Sequence, residues 1–230
     1  MLRVICPVKD ITAVAVSGGI DSMVLLHFLR RANPDVVALH FNHRTAFGES
    51  AASWFSAYCR ANGISMEYGS IYGDKPAGES LEHWWREARY KFLQGTTHKI
   101  AIAHNLDDQI ETYLMNMVRG NPRFMPYARD NICRPLLLSP RSSILKYAEK
   151  HGVPYMEDPS NADVGHPRNR VRHRVVPELL QVNPGMYKTF ARLAFNEMAR
   201  TTPAKLTIGT ESPADTQVFV RPYERLLELD

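Results

Sequence analysis

The chain has 230 residues, of which 44% are apolar and 23% charged, and its formal net charge is +4. That length suits one large domain, or one domain with a small appendage, and the mild positive charge does not by itself prove a nucleic-acid partner. Cys6, Cys59 and Cys133 form no CxxC pair, which argues against zinc and iron–sulfur centres and for a reducing cytoplasm; no signal peptide and no apolar run of membrane-spanning length is read, so no membrane partner is expected.

The first 120 residues alternate between strand and helix patterns. Short apolar or β-branched runs at 11–16, 36–41, 65–71 and 99–103 read as buried parallel strands. Helical patterns lie between and after them at 21–31, 49–62, 80–94 and 107–118. This alternation predicts an α/β fold with a doubly wound, mostly parallel sheet, in which ligands sit at the carboxyl ends of the strands. After Gly120 prolines interrupt the pattern, and helices are expected at 142–151, 169–180 and 184–200. The tail carries two short alternating runs, 205–208 and 216–220, which fit a hairpin or a frayed end. The expected organisation is a catalytic α/β domain over 1–140, a helical extension over 141–200 and a short tail over 201–230.

The first strand ends in Ser17, Gly18, Gly19, Ile20, Asp21 and Ser22. Two glycines free the backbone to turn its N–H groups toward one point, and the helix that follows adds unpaired donors and the positive end of its dipole. Ser17 and Ser22 add hydroxyls, and Asp21 offers a carboxylate for magnesium beside bound phosphates. The plain alternative is a turn with an N-cap at Asp21 or Ser22. The second strand ends near His40, Asn42 and His43, and the fourth near His104.

Two further clusters bear on chemistry. Asp107, Asp108 and Glu111 share one helical face directly after a strand; acids in a first turn are usual, but several at a strand rim call for a magnesium ion or a substrate ammonium group. Glu82, Arg86 and Arg89 recur at helical spacing, with Arg86 and Tyr90 four apart, which reads either as a solvated face or as an arginine aimed at phosphate. From Arg119 to Arg174 cations outnumber anions about two to one, and Arg168, Arg170, Arg172 and Arg174 are dense enough for phosphate or RNA contact. Alternate arginines cannot all share one helical side, so some are expected to point inward and others outward.

Taken in order, these segments resemble the PP-loop (N-type) ATP pyrophosphatase superfamily, of adenine nucleotide alpha hydrolase-like fold. Within it they look like the tRNA(Ile)-lysidine synthetase family. The resemblance rests on residues 17–22, on His40-Phe41-Asn42-His43, on Arg86-Glu87-Ala88-Arg89-Tyr90 and on His104 through Thr112. It continues through Arg119-Gly120, Arg134-Pro135-Leu136-Leu137, Asp158-Pro159-Ser160-Asn161 and Arg168-Asn169-Arg170-Val171-Arg172, covering about residues 12–200. It implies a ligase that forms a carbon–nitrogen bond. ATP adenylates the cytidine at the first anticodon position of an isoleucine tRNA, and free lysine then displaces AMP. On that resemblance Ser17, Gly18, Gly19, Ile20 and Ser22 hold the pyrophosphate, while Asp21, with Asp108, takes magnesium. His40, Asn42 and His104 flank the adenosine. Asp21, Arg86, Asp108 and Glu111 are the catalytic set, and Asp108 or Glu111 is the candidate base for the lysine amine. Arg134, Arg168, Arg170 and Arg172 meet RNA or phosphate, and the RNA is an anticodon stem-loop. The resemblance also implies a cytoplasmic protein, with a homodimer one possible assembly.

The pattern departs from the family after Gly120, where Asn121-Pro122-Arg123-Phe124-Met125-Pro126 stands in place of a longer glycine-rich segment, and about 30 residues follow Arg200 where many members carry further tRNA-gripping domains. The match therefore reads as a short form. The alternatives are a tRNA 2-thiolation enzyme of the same superfamily, which normally needs paired cysteines, and a non-catalytic nucleotide- or RNA-binding relative.

Overall fold

The computed structural model describes residues 2–6, 10–162, 165–202, 206–211 and 218–221. Its centre is a sheet in the order β4-β3-β2-β5-β7-β6, made of β2 (Ala13–Ala15), β3 (Val37–Asn42), β4 (Met66–Ser70), β5 (Ile100–Ile102), β6 (Ala128–Arg129) and β7 (Ile132–Cys133). Every pairing in it is parallel except β6 with β7. Pairing around β2 extends past its formal ends: Thr12 N–H donates to the Lys99 carbonyl and Val16 N–H to the Leu39 carbonyl. The apolar run at 11–16 is thus in the sheet along most of its length.

Alternation along β2 places Val14 and Val16 on one face and Ala13 and Ala15 on the other. On the Val14 face they join Phe55 and Cys59 of α2 (Ala46–Ala61), Leu25 and Leu29 of α1 (Ile20–Ala32) and Ile144 and Tyr147 of α5 (Arg141–His151). On the Ala13 face Leu39 and Ile100 meet Leu93 of α3 (Leu81–Gln94). Both faces are therefore covered, as a doubly wound sheet requires.

A second apolar cluster joins Leu106, Ile110 and Leu114 of α4 (Leu106–Val118) to Ala191, Ala194 and Met198 of α8 (Met186–Thr201). It also includes Ile5 of β1 (Arg3–Cys6) and Ile208 of β8 (Thr207–Glu211). β1 pairs antiparallel with β8, and β8 with β9 (Val218–Arg221), so the two tail runs pair beside the first strand of the chain where they are described; positions 205, 216 and 217 of those runs lie outside the described residues. Residues on both sides of position 140 contribute to each of these two clusters.

The stretch expected as a helix over 169–180 is a longer run with a wider turn inside it: α6 (Pro167–Arg170), a π-helical segment (Val171–Val175) and α7 (Val176–Val182). Val176 N–H donates to the Val171 carbonyl, five residues back. Pro177 has no N–H to give, and its ring crowds the carbonyl of the preceding turn, so the helix widens just before it.

Candidate functional site

The carboxyl ends of β2, β3 and β5 open on a cavity of about 940 Å³, whose walls include Ser17, Gly19, Ile20, Asp21, Ser22, His40, Asn42, His104, Asp108 and Arg172. The sequence placed all of these but Arg172 on one rim, and the structure brings them together with Arg172 added.

The phosphate-loop geometry follows from its two glycines. Gly18 has φ of +91°, which a side chain would strain. Gly19 is the N-cap of α1 and supplies no side-chain cap, so neither Asp21 nor Ser22 closes the helix end. The first-turn N–H groups of α1 are left to the cavity. Ser22 Oγ donates to the Gly19 carbonyl across 2.8 Å and accepts from Ser17 N–H across 3.2 Å, which folds the loop around its own hydroxyl. Met156 N–H donates to the Gly18 carbonyl at 2.9 Å, so the strap after α5 crosses the loop.

Asp21 projects from the first turn of α1. Its Oδ1 accepts from Asn105 Nδ2 at 3.0 Å and its Oδ2 from Arg141 Nη1 at 2.9 Å. Burial, reinforced by the charge of Asp108, holds the Asp21 carboxyl above the usual range in spite of Arg141. Arg141 was counted in the sequence only as one of many cations; its role depends on α5 beginning at that residue. Asp107 fixes that start, accepting from Arg141 N–H at 2.7 Å and from Tyr187 hydroxyl of α8 at 2.6 Å.

Asn105 and Asp108 form a reciprocal capping box at the start of α4. One turn on, Glu111 is 1% exposed. Arg172 Nε and Nη2 donate to its two oxygens at 2.6 and 3.2 Å, Arg172 Nη2 reaches Asp108 at 3.4 Å, and Arg168 Nε lies 3.4 Å from Glu111. Burial nevertheless raises the Glu111 carboxyl. The acids expected to meet magnesium or an ammonium group are met here by two arginines. Arg172 and Arg168, the latter itself exposed, are the members of the arginine run that reach Glu111, and Arg170 is exposed.

Burial lowers the pKa of two histidines in the wall. His40 Nδ1 donates to the Val16 carbonyl at 2.8 Å, and burial depresses its pKa. His104 lies well below the usual range through burial and the charges of Arg134, Arg89, Arg168 and Arg86. Asn42 is used structurally, accepting from Arg44 N–H at 2.7 Å and donating to Tyr68 hydroxyl at 3.0 Å.

Arg86, expected at the phosphates, is exposed and stacks on Tyr90 at 4.6 Å, outside the cavity wall. Arg89, one turn deeper on α3, lines the cavity instead. Arg134 stands behind His104 rather than in the wall. Among the described residues no group of three or more His, Cys, Asp or Glu could hold a metal, and no helix is long and apolar enough to cross a membrane. Magnesium on a nucleotide needs only one or two carboxylates beside the phosphates, and Asp21 and Asp108 both line the cavity.

Residues 7–179 match the PP-loop domain family. The chain is 35% identical to a tRNA(Ile)-lysidine synthase of Thermotoga sp. (strain RQ2) over 94% of its own length and 58% of that protein. It is 40% identical to the tRNA(Ile)-lysidine synthase of Neisseria meningitidis serogroup B, over 73% of this chain and 43% of that one. With that of Vibrio cholerae serotype O1 it shares 34% identity over 78% of this chain and 44% of the relative. The chain thus spans about half the length of these curated relatives.

Proposed function

The chain belongs to the PP-loop domain family, and on that footing we propose that it forms lysidine on a tRNA, the product named in its relatives, by an ATP-dependent ligase reaction. ATP enters with its β- and γ-phosphates against the loop at 17–22. The uncapped start of α1 supplies oriented N–H groups there, and Ser17 and Ser22 supply hydroxyls. These donors need no rearrangement as charge shifts onto the leaving pyrophosphate, and each such donor is typically worth about 10²–10³-fold in rate. Asp21 and Asp108 hold the magnesium that accompanies the nucleotide and screens its phosphates.

The attacking group is lysine, and its ammonium is drawn to Asp108 and Glu111. Its amine must be neutral to attack, and Glu111, whose carboxyl burial raises, is the candidate acceptor for that proton. The RNA arrives along the exposed arginine run, Arg170 included, where guanidinium groups meet backbone phosphates. The observation that carries this reading is the meeting of an uncapped helix start with the carboxylates of Asp21 and Asp108 in the wall of one cavity.

A thiolation reading finds less support. Burial pushes the thiols of Cys59 and Cys133 up to about 11, which leaves little thiolate for sulfur chemistry.

The test is mass spectrometry of tRNA nucleosides after incubation with the protein, ATP, magnesium and lysine. A cytidine heavier by one lysine less one water supports the reading. Pyrophosphate release without that product sinks lysine as the nucleophile, and no pyrophosphate release sinks catalysis.

A further inference from the structure

His104 follows β5 and forms part of the cavity wall. Its Nδ1 faces Arg134 Nε at 3.2 Å. A guanidinium nitrogen only donates, so Nδ1 must be the accepting nitrogen, and a neutral imidazole then carries its proton on Nε2. Arg134 has no freedom to choose otherwise. It is 5% exposed, its Nη1 donates to the Pro126 carbonyl at 3.1 Å, and its Nη2 donates to Tyr90 hydroxyl at 3.5 Å. No carboxylate pairs with it among the described residues. His104 Nε2 has no protein partner among the described residues and is left to the cavity.

Arg89 completes the arrangement. It lines the same cavity, and its Nε is shut off from solvent with no partner among the described residues. A buried guanidinium without an acid is costly unless an anionic group arrives to pair with it.

We propose that Arg134 is a positioning residue that fixes His104 as its Nε2–H tautomer, so that His104 and Arg89 together form a second subsite for an anionic oxygen, apart from the loop at 17–22. The oxygen belongs to a phosphoryl group, either the α-phosphate of the nucleotide or a phosphodiester of the RNA. This ligand assignment rests on the reading of the cavity as a site for ATP and RNA; the tautomer assignment does not.

The first experiment therefore uses the protein alone. Long-range proton–nitrogen NMR of histidine-labelled protein, assigned with His104→Gln, is expected to show a protonated Nε2 and a bare Nδ1 on His104. Arg134→Met is expected to release that preference, and Arg134→Gln, which keeps a donor, to retain it. A proton on Nδ1 in the unaltered protein overturns the proposal. So does an unchanged tautomer in a folded Arg134→Met protein. If Arg134→Met does not fold, the unaltered protein and Arg134→Gln decide.

The second experiment measures Arg89→Met binding to ATP and to an anticodon stem-loop RNA by calorimetry. A loss of about tenfold for ATP alone assigns the oxygen to the nucleotide, and the same loss for RNA alone assigns it to the backbone. Unchanged affinity for both overturns the subsite. Failure of the unaltered protein to bind either ligand would instead overturn the reading of the cavity and leave the tautomer result standing.

Discussion

Arg172 Nε donates to Glu111 Oε1 across 2.6 Å, and the carboxylate it meets is almost wholly buried. The pair joins a residue in the second apolar cluster's helix to a residue on an exposed, irregular one. Removing the arginine leaves the charge behind, with Arg168 at 3.4 Å as the nearest remaining cation. Arg172→Met should cost about 2 kcal/mol, less than a fully unpaired buried charge because Arg168 remains. Adding Glu111→Gln should recover part of that loss, since the carboxylate that lacked a partner is gone. Urea denaturation of the two single variants and the double variant measures both effects.

Gly18 and Gly19 should respond differently to alanine. Gly18 has φ of +91°, whereas Gly19 has φ of −74° and a Cβ there would lie 3.5 Å from Ser17 Oγ, an ordinary contact. Gly18→Ala should destabilise the protein by about 1 kcal/mol and weaken ATP binding, through backbone strain rather than a clash. Gly19→Ala should shift stability by less than about 0.5 kcal/mol. Thermal unfolding with and without ATP separates the two.

Asp21→Ala removes a cavity carboxylate and frees Arg141. Pyrophosphate release should fall by about 10²-fold or more, because the magnesium that Asp21 would hold screens the charge on the leaving phosphates. Radiolabelled pyrophosphate assays check this, and a rate within threefold of the parent would contradict the placement of Asp21 beside the nucleotide.

His43 provides a pH test. Burial, then the charge of Arg89 and the neighbouring His40, bring its imidazole from 6.5 down to about 4. Between those values the unfolded chain binds a proton that the folded protein refuses, so stability rises with pH through the window and falls as pH drops through it. His40 and His104 shift in the same direction. His43→Gln should therefore remove part, not all, of the loss between pH 6.5 and about 4. Urea midpoints at the two ends of the window give the answer.

Arg170 is exposed on α6 while Arg168 and Arg172 are engaged with Glu111. If RNA backbone lies along this run, Arg170→Ala should make the log–log salt dependence of RNA binding shallower by about 0.7, the share of one phosphate contact on a single strand. ATP affinity should not change. Filter binding across a salt series shows the slope, and an unaltered slope would remove Arg170 from the interface.

Residues 17–22 could be read directly because a strand, two glycines and a helix start are local features, and local sequence determines them. Three of the four main parallel strands were equally legible as buried apolar runs; β4, expected to be buried like them, lies at the sheet edge with Glu67 and Tyr68 exposed, because only one neighbouring strand covers it. Arg86 and Arg89 were not separable in the same way. Helical spacing puts both on the face of α3 that carries Leu93, and only the depth of the cavity along that helix selects Arg89. Arg141 gave no signal beyond its charge, because its meeting with Asp21 depends on how α5 packs beside α1. β6 and β7 are two residues each, too short for any period to show. The partnership of Glu111 with Arg172 was half visible: the acids and the arginine run were both noted, but nothing in either segment says that they meet.

The hydrogen bond from Met156 to Gly18 joins points far apart in the chain. A ribosome that has delivered every strand of the central sheet has still not delivered the strap that pins the phosphate loop. Nucleotide binding during synthesis would therefore start late, after α5 has emerged, and a fragment ending before residue 156 would present the glycines without the clasp that holds their curve.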